Sequence, residues 1–227
     1  MFFYSYWWVM LPAILFTMYA SGKVKSHYHT YAKVRSARGL TGLQVAENIL
    51  RANHINDVTI KMGRGQMTDH YNPRTKTVVL SPHVYNTDSV AAASIAAHEC
   101  GHVLQHAQGY APLKVRAALV GPVNFASKIT PILILIGFIS FTRNPLVLDL
   151  AIAAYAVVFL FHLVTLPVEL NASSRAIHAM AEGQLVYDDD LPGTKKVLSA
   201  AALTYVAAML ASLMQIVRLI MIRDSRD

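Results

Sequence analysis

Hydrophobic and polar positions fall in long blocks along this chain of 227 residues. Four blocks are apolar over the length of a helix. The first, Phe2 to Ala20, carries no charge and opens with Tyr4, Tyr6, Trp7 and Trp8, the aromatic composition of a bilayer interface. Nothing basic precedes Gly22, whereas a cleaved signal peptide starts with basic residues, so a retained anchor is expected. The second block, Val120 to Phe141, is broken by Pro122, Lys128 and Pro131. Its uninterrupted part, Ile132 to Phe141, is shorter than the ~20 residues a span takes, so a re-entrant or kinked segment is an open alternative. The third, Leu146 to Val168, is long enough and has only Asp149 and His162 as ionisable residues. The fourth, Val197 to Ile222, begins with Ser199, Ala200, Ala201 and Ala202, small residues that let helices approach closely in lipid.

Between the first two blocks the period changes. Thr41 and Gln44 fit a capping box, and Leu43, Val45, Ala46, Ile49 and Leu50 recur at helical spacing, which predicts a helix from Thr41 to about Ala52. Val58 to Ile60 is a short strand candidate. Gln66 to Tyr71 and Lys76 to Leu80 flank Asn72-Pro73-Arg74-Thr75, a hairpin turn, so a small antiparallel sheet is expected. Thr77 to Leu80 reads either as an edge strand open to an extended substrate backbone or as a plain buried strand. Ser89 is the expected N-cap region of a helix-compatible run ending at His106.

Composition makes these blocks a membrane pattern. The chain is 54% hydrophobic and only 15% charged, too apolar for an ordinary soluble domain of this length. A formal charge of +7 raises the possibility of nucleic acid, but the basic residues follow the block boundaries and no nucleic-acid motif is present. Lys23, Lys25, Lys33, Arg35 and Arg38 follow the first block, while the 141–146 connection has only Arg143. That asymmetry puts residues 21–116 and 169–196 in the cytoplasm and the N-terminus outside, with Arg223 and Arg226 in the tail as a smaller opposing signal. The expected divisions are an anchor (1–20), a cytoplasmic domain (21–116), a transmembrane hairpin (117–168), a cytoplasmic helix and loop (169–196) and a last span with its tail (197–227). The single cysteine, Cys100, excludes an internal disulfide framework.

The chemistry lies in His98-Glu99-Cys100-Gly101-His102. Two histidines one helical turn apart project from one face and can share one metal ion, with Glu99 beside them as a carboxylate able to take a proton from water. A third ligand is needed. His106 lies ~12 Å along the helix axis from His98, too far to share the ion. The longer H-E-x-x-H-x-x-G-x-x-H form fails because Gln105 and Gln108 hold its last two marked positions. His162 sits inside the third block and reads equally as a polar residue bonded within a bundle. Glu169 fits best. Two spans separate it from His102, so an even number of crossings returns it to the same side. An acid at the edge of an apolar block is costly unless paired or metal-bound.

Asp69-His70-Tyr71-Asn72-Pro73, Val79-Leu80-Ser81, the segment Ala96 to His102, Gln105-His106, and Pro167-Val168-Glu169 through Ala172-Ser173 with Arg175-Ala176 together resemble the YugP-type neutral zinc metallopeptidases of bacterial membranes. The layout is also similar to the HtpX heat-shock protease and the CAAX prenyl proteases. The resemblance covers nearly the whole chain. It implies one zinc ion held by His98, His102 and Glu169, with Glu99 as general base. The implied architecture is a mainly α membrane protein of about four transmembrane helices with a small α+β zincin-like cytoplasmic domain. Two positions depart from the related patterns. Ser173 stands where the HtpX-like pattern has an aspartate, and Asn171 where YugP-type proteins often carry an acid. Both can still hydrogen-bond and orient ligands.

The expected activity is therefore that of a membrane zinc endopeptidase of the bacterial plasma membrane, facing the cytoplasm and acting on protein or peptide substrates. His70, His178 and Arg175 are candidates to stabilise an oxyanion. The alternatives are that His70 holds the hairpin, Arg175 pairs with Asp88 or Asp69, and His178 lies on a solvated face. A non-catalytic membrane protein that binds zinc or partner proteins is the rival from another class, and a zinc hydrolase of non-peptide substrates is a further one.

Overall fold

A computed structural model of the chain describes residues 6–139 and 146–225. Tyr4, Phe141, Arg143 and Arg226, which entered the reading above, lie outside them. The described residues are mainly helical. After a 3-10 turn, Trp7–Met10, the order is α1 (Leu11–Tyr31), α2 (Gly42–Ala52), β1 (Thr59–Met62), β2 (His70–Asn72), β3 (Thr77–Leu80), α3 (Pro82–Asn86), α4 (Val90–Ala107), α5 (Ala111–Ile139), α6 (Leu146–Glu182) and α7 (Leu191–Asp224).

Three helices are long and apolar enough to cross a membrane. They are α5 over Ala111–Ile136, α6 and α7, with mean hydropathies of 1.7, 2.3 and 1.9. These account for three of the four expected spans. The first apolar block begins before the described residues, and α1 runs on through Lys23 and Lys25 into polar sequence. The second block belongs to a helix long enough to span. α5 begins at Ala111 and runs unbroken through Pro122 and Pro131. Proline lacks the N–H that extends a helix, but in lipid neighbouring helices and local adjustments satisfy the freed carbonyls. The helix of the third block runs on past Val168, because α6 continues through Pro167 to Glu182.

The chain divides into two compact units. One comprises Met1–Ser21, Lys114–Pro167 and Leu203–Asp227. Its buried cluster is small: Leu148, Ala151, Leu219 and Ile222, with Leu133, Ile152 and Tyr155 against them. Asp149, an acid in an apolar helix, is paired with Arg223 at 2.8 Å.

The other unit comprises Gly22–Leu113 and Val168–Ala202. The predicted capping box is present: the Thr41 hydroxyl accepts from the Gln44 N–H at 3.3 Å, and the Gln44 side chain accepts from the Thr41 N–H at 2.9 Å. Asn72 Oδ1 accepts from the N–H groups of Arg74 and Thr75, which shapes the hairpin turn as its sequence predicts. The sheet itself differs from the expectation. Its order is β1-β3-β2, with β2 antiparallel to β3 but β1 parallel to it. Thr77–Leu80 is thus the central strand, hydrogen-bonded on both sides, and cannot receive a substrate backbone. Three of its four residues are buried. Ser89 caps α4 through the Ala92 N–H. The core packs Val45, Ala46 and Ile49 of α2 with Ala93, Ala96 and Ala97 of α4, Val78 and Leu80 of β3, and Ala176 and Met180 of α6.

Candidate metal centre

α4 is buried nearly all round, and alanine makes this possible. Ala91, Ala92, Ala93, Ala96 and Ala97 are each about 1% exposed or less, so neighbouring backbones come close. One such approach is at Gly101. A Cβ built there would stand 2.3 Å from the carbonyl oxygen of Ala172 in α6, so only glycine fits. This contact brings the histidine-bearing turns of α4 against the stretch of α6 that begins at Val168.

Three side chains meet at that contact. His98 Nε2 lies 3.2 Å and His102 Nε2 3.4 Å from the same carboxylate oxygen of Glu169. One ligand atom from each residue falls within 4.8 Å of the others. Among the described residues this is the one group of His, Cys, Asp or Glu side chains placed to hold a metal ion. Glu169 and His102 are buried, and His98 is half-buried. The donor set, two imidazole nitrogens and one carboxylate oxygen, is one that zinc accepts while leaving a fourth position open. The residues present therefore fit the ion.

The far ring nitrogens are also held. His102 Nδ1 is 3.0 Å from Gln105 Oε1, and His98 Nδ1 is 3.1 Å from Ser173 Oγ. Such bonds fix which nitrogen faces the metal and how the ring is turned. Gln105 is fully buried and donates to the Val168 carbonyl at 2.7 Å and to Asn171 Oδ1 at 3.0 Å. Arg175 donates to Asn171 Oδ1 at 2.7 Å and to the Gln108 side-chain oxygen, with its guanidinium 5.7 Å from the centre of the Tyr110 ring.

Glu99 is buried beside the cluster. Burial pushes its carboxyl above the ordinary carboxylate range. His98 and His102 pull the other way, while Glu169 and Asp69 add to the rise. At His102 burial disfavours the charged ring, but the hydrogen bond and charge of Glu169, with Glu99 and Gln105, outweigh it and raise the pKa. Cys100 faces the α2 side, 3.8 Å from the Ala46 carbonyl, and burial raises its thiol pKa.

The candidate residues separate clearly. His98, His102, Glu99, Glu169, Asn171, Ser173 and Arg175 come together. Arg175 pairs with neither Asp88 nor Asp69: Arg35 holds Asp88, and Ser81 donates twice to Asp69. His70 is exposed, with Nδ1 2.8 Å from the Thr68 carbonyl, beside the hairpin. His178 is on an exposed face, 3.1 Å from Glu182. His106 is bonded to the Tyr71 hydroxyl at 2.8 Å. Gln105 is the residue the sequence reading missed. Its signal was a polar side chain three residues after His102, on a helix otherwise lined with small and apolar residues.

A family model described as "Putative neutral zinc metallopeptidase" matches residues 6–224. The "Putative membrane protease YugP" of Bacillus subtilis (strain 168) is 42% identical over 212 residues, covering 93% of each chain. No solved structure matches.

Proposed function

The chain belongs to the neutral zinc metallopeptidase family, and from that premise we propose that it is a membrane-embedded endopeptidase that hydrolyses protein or peptide substrates. The observation that carries this reading is the convergence of His98 Nε2 and His102 Nε2 on one oxygen of Glu169, with the buried carboxylate of Glu99 alongside. His98, His102 and Glu169 would hold a zinc ion. When bound, the ion supplies Lewis acidity, polarising a carbonyl and making water acidic enough to lose a proton near neutral pH.

The chain's own residues do the rest. Glu99 accepts the proton of the attacking water on its carboxylate and delivers it to the nitrogen of the leaving amine. A carboxyl raised by burial suits both halves of that task, because its acid form can give the proton back. Gln105 and Ser173 keep the two imidazoles turned so that Nε2, and not Nδ1, faces the shared point. Three helices of spanning length support residence in a membrane, as does the membrane protease named among the relatives. The basic residues after the first apolar block support a site on the cytoplasmic side.

The test is Glu99→Gln in purified protein loaded with zinc. We expect zinc content to stay at the wild-type level while peptide hydrolysis is lost. Hydrolysis that persists unchanged would instead leave a protein that binds zinc without using Glu99.

A further inference from the structure

We propose that Gln105 is a positioning residue that fixes the tautomer of His102 and ties that ring to the helix carrying Glu169; this rests on the zinc site proposed above. Arg175 sets the first orientation, because its guanidinium can donate hydrogen bonds but never accept them. Its Nε lies 2.7 Å from one side-chain atom of Asn171, so that atom must be the amide oxygen. The same atom of Asn171 is 3.0 Å from the Gln105 side chain, which must therefore present its NH2 group there. The second hydrogen of that NH2 is taken by the Val168 carbonyl at 2.7 Å. What remains of the Gln105 amide is its oxygen, 3.0 Å from His102 Nδ1. An amide oxygen only accepts, so His102 carries its proton on Nδ1. Its other nitrogen, Nε2, faces Glu169 at 3.4 Å and is the one left to serve as a ligand.

Each orientation in this chain follows from the one before it, and the first is set by a group with no alternative. Gln105 has no exposed surface, so water cannot replace its partners. It also bonds the carbonyl of the residue immediately before Glu169. One side chain thus governs the donor atom of one proposed ligand and the backbone beside another. Partners of this kind are worth about 10–100-fold in metal affinity.

The experiment is competition for zinc between a chromophoric chelator and the full-length protein in detergent, comparing wild type, Gln105→Met and Gln105→Glu. The visible spectrum of the cobalt-loaded protein serves as a second readout. Methionine keeps the length of the side chain and removes the acceptor; glutamate keeps the acceptor. We expect Gln105→Met to bind zinc about 10–100-fold more weakly, with an altered cobalt spectrum. Gln105→Glu should bind more tightly than Gln105→Met but more weakly than wild type, because it keeps the acceptor on Nδ1 and loses the donors to Val168 and Asn171. Wild-type affinity in Gln105→Met overturns the proposal, as does a Gln105→Glu protein as weak as Gln105→Met. If Gln105→Met loses its helical circular dichroism, Gln105→Glu decides alone, and either wild-type affinity or a loss of more than about 100-fold overturns the proposal. Wild-type protein that takes up no zinc overturns the metal site itself, and this inference with it. Wild type that binds while both variants match it overturns the inference only.

Discussion

The two compact units follow opposite rules of burial. In the unit built from Lys114–Pro167 and its partners, large apolar side chains are bare: Phe125 is 70% exposed and Leu135 54%. In the other unit, α4 turns small alanines and its most polar residues inward, with Glu99, His102 and Gln105 all buried. Exposed leucine is expected where lipid is the solvent. Buried polar groups are costly unless each finds a partner, and His102 and Gln105 have theirs. Hydropathy therefore locates the first unit and is silent on the second, whose marker is polar residues paid no penalty for lying in the interior.

The sharpest way to break this contrast is Glu99→Gln, which alters one buried atom. Peptide turnover should fall about 10²–10⁴-fold, the usual worth of a general base. Removing a ligand probes the same interior. His98→Ala and Glu169→Ala should each lower the zinc content of purified protein well below wild type, read by metal analysis. Full zinc in Glu169→Ala would strike that residue from the ligand set.

A matched pair of surface changes tests the comparison directly. Leu135 and Met62 are nearly equally exposed, at 54% and 55%, but belong to different units. Leu135→Arg should cost about 2.5–3.5 kcal/mol of membrane insertion, seen as protein released by alkaline extraction. Met62→Arg, on β1, should change stability by less than about 0.5 kcal/mol. Equal effects would erase the distinction between the units. Gly101→Ala drives a methyl group against the Ala172 carbonyl and should cost about 1–3 kcal/mol, visible as a lower midpoint in urea. The smallest effect concerns Cys100. Its buried thiol, with a raised pKa, should resist alkylation in the folded protein and react only after denaturation.

Much of the site was legible because its residues are chemically rare. The pentad announces a shared ion, and Glu169 is one of four glutamates, placed where an acid is otherwise costly. Gln105 was not legible in the same way. Its meaning depends on Val168 and Asn171, more than sixty residues away, and local spacing cannot show that. The helices were legible from apolar runs and caps, though their ends were not. Pro122 and Pro131 look like breaks in a water-soluble sequence, and α6 gives no compositional sign at Val168 that it continues to Glu182. The sheet failed for a different reason. Turn residues reveal the β2–β3 hairpin, but nothing local marks the parallel pairing of β1 with β3, which also made β3 central.

The contact between Gly101 and Ala172 has a consequence in time. His98 and Glu169 are 71 positions apart. At the ~5–20 residues per second of translation, both histidines have left the ribosome about 3–13 s before the residue that would complete the centre. Throughout that interval the nascent chain holds only two of the three proposed ligands. On the proposed reading, the zinc site of a growing polypeptide is complete only when a later helix closes against an earlier one.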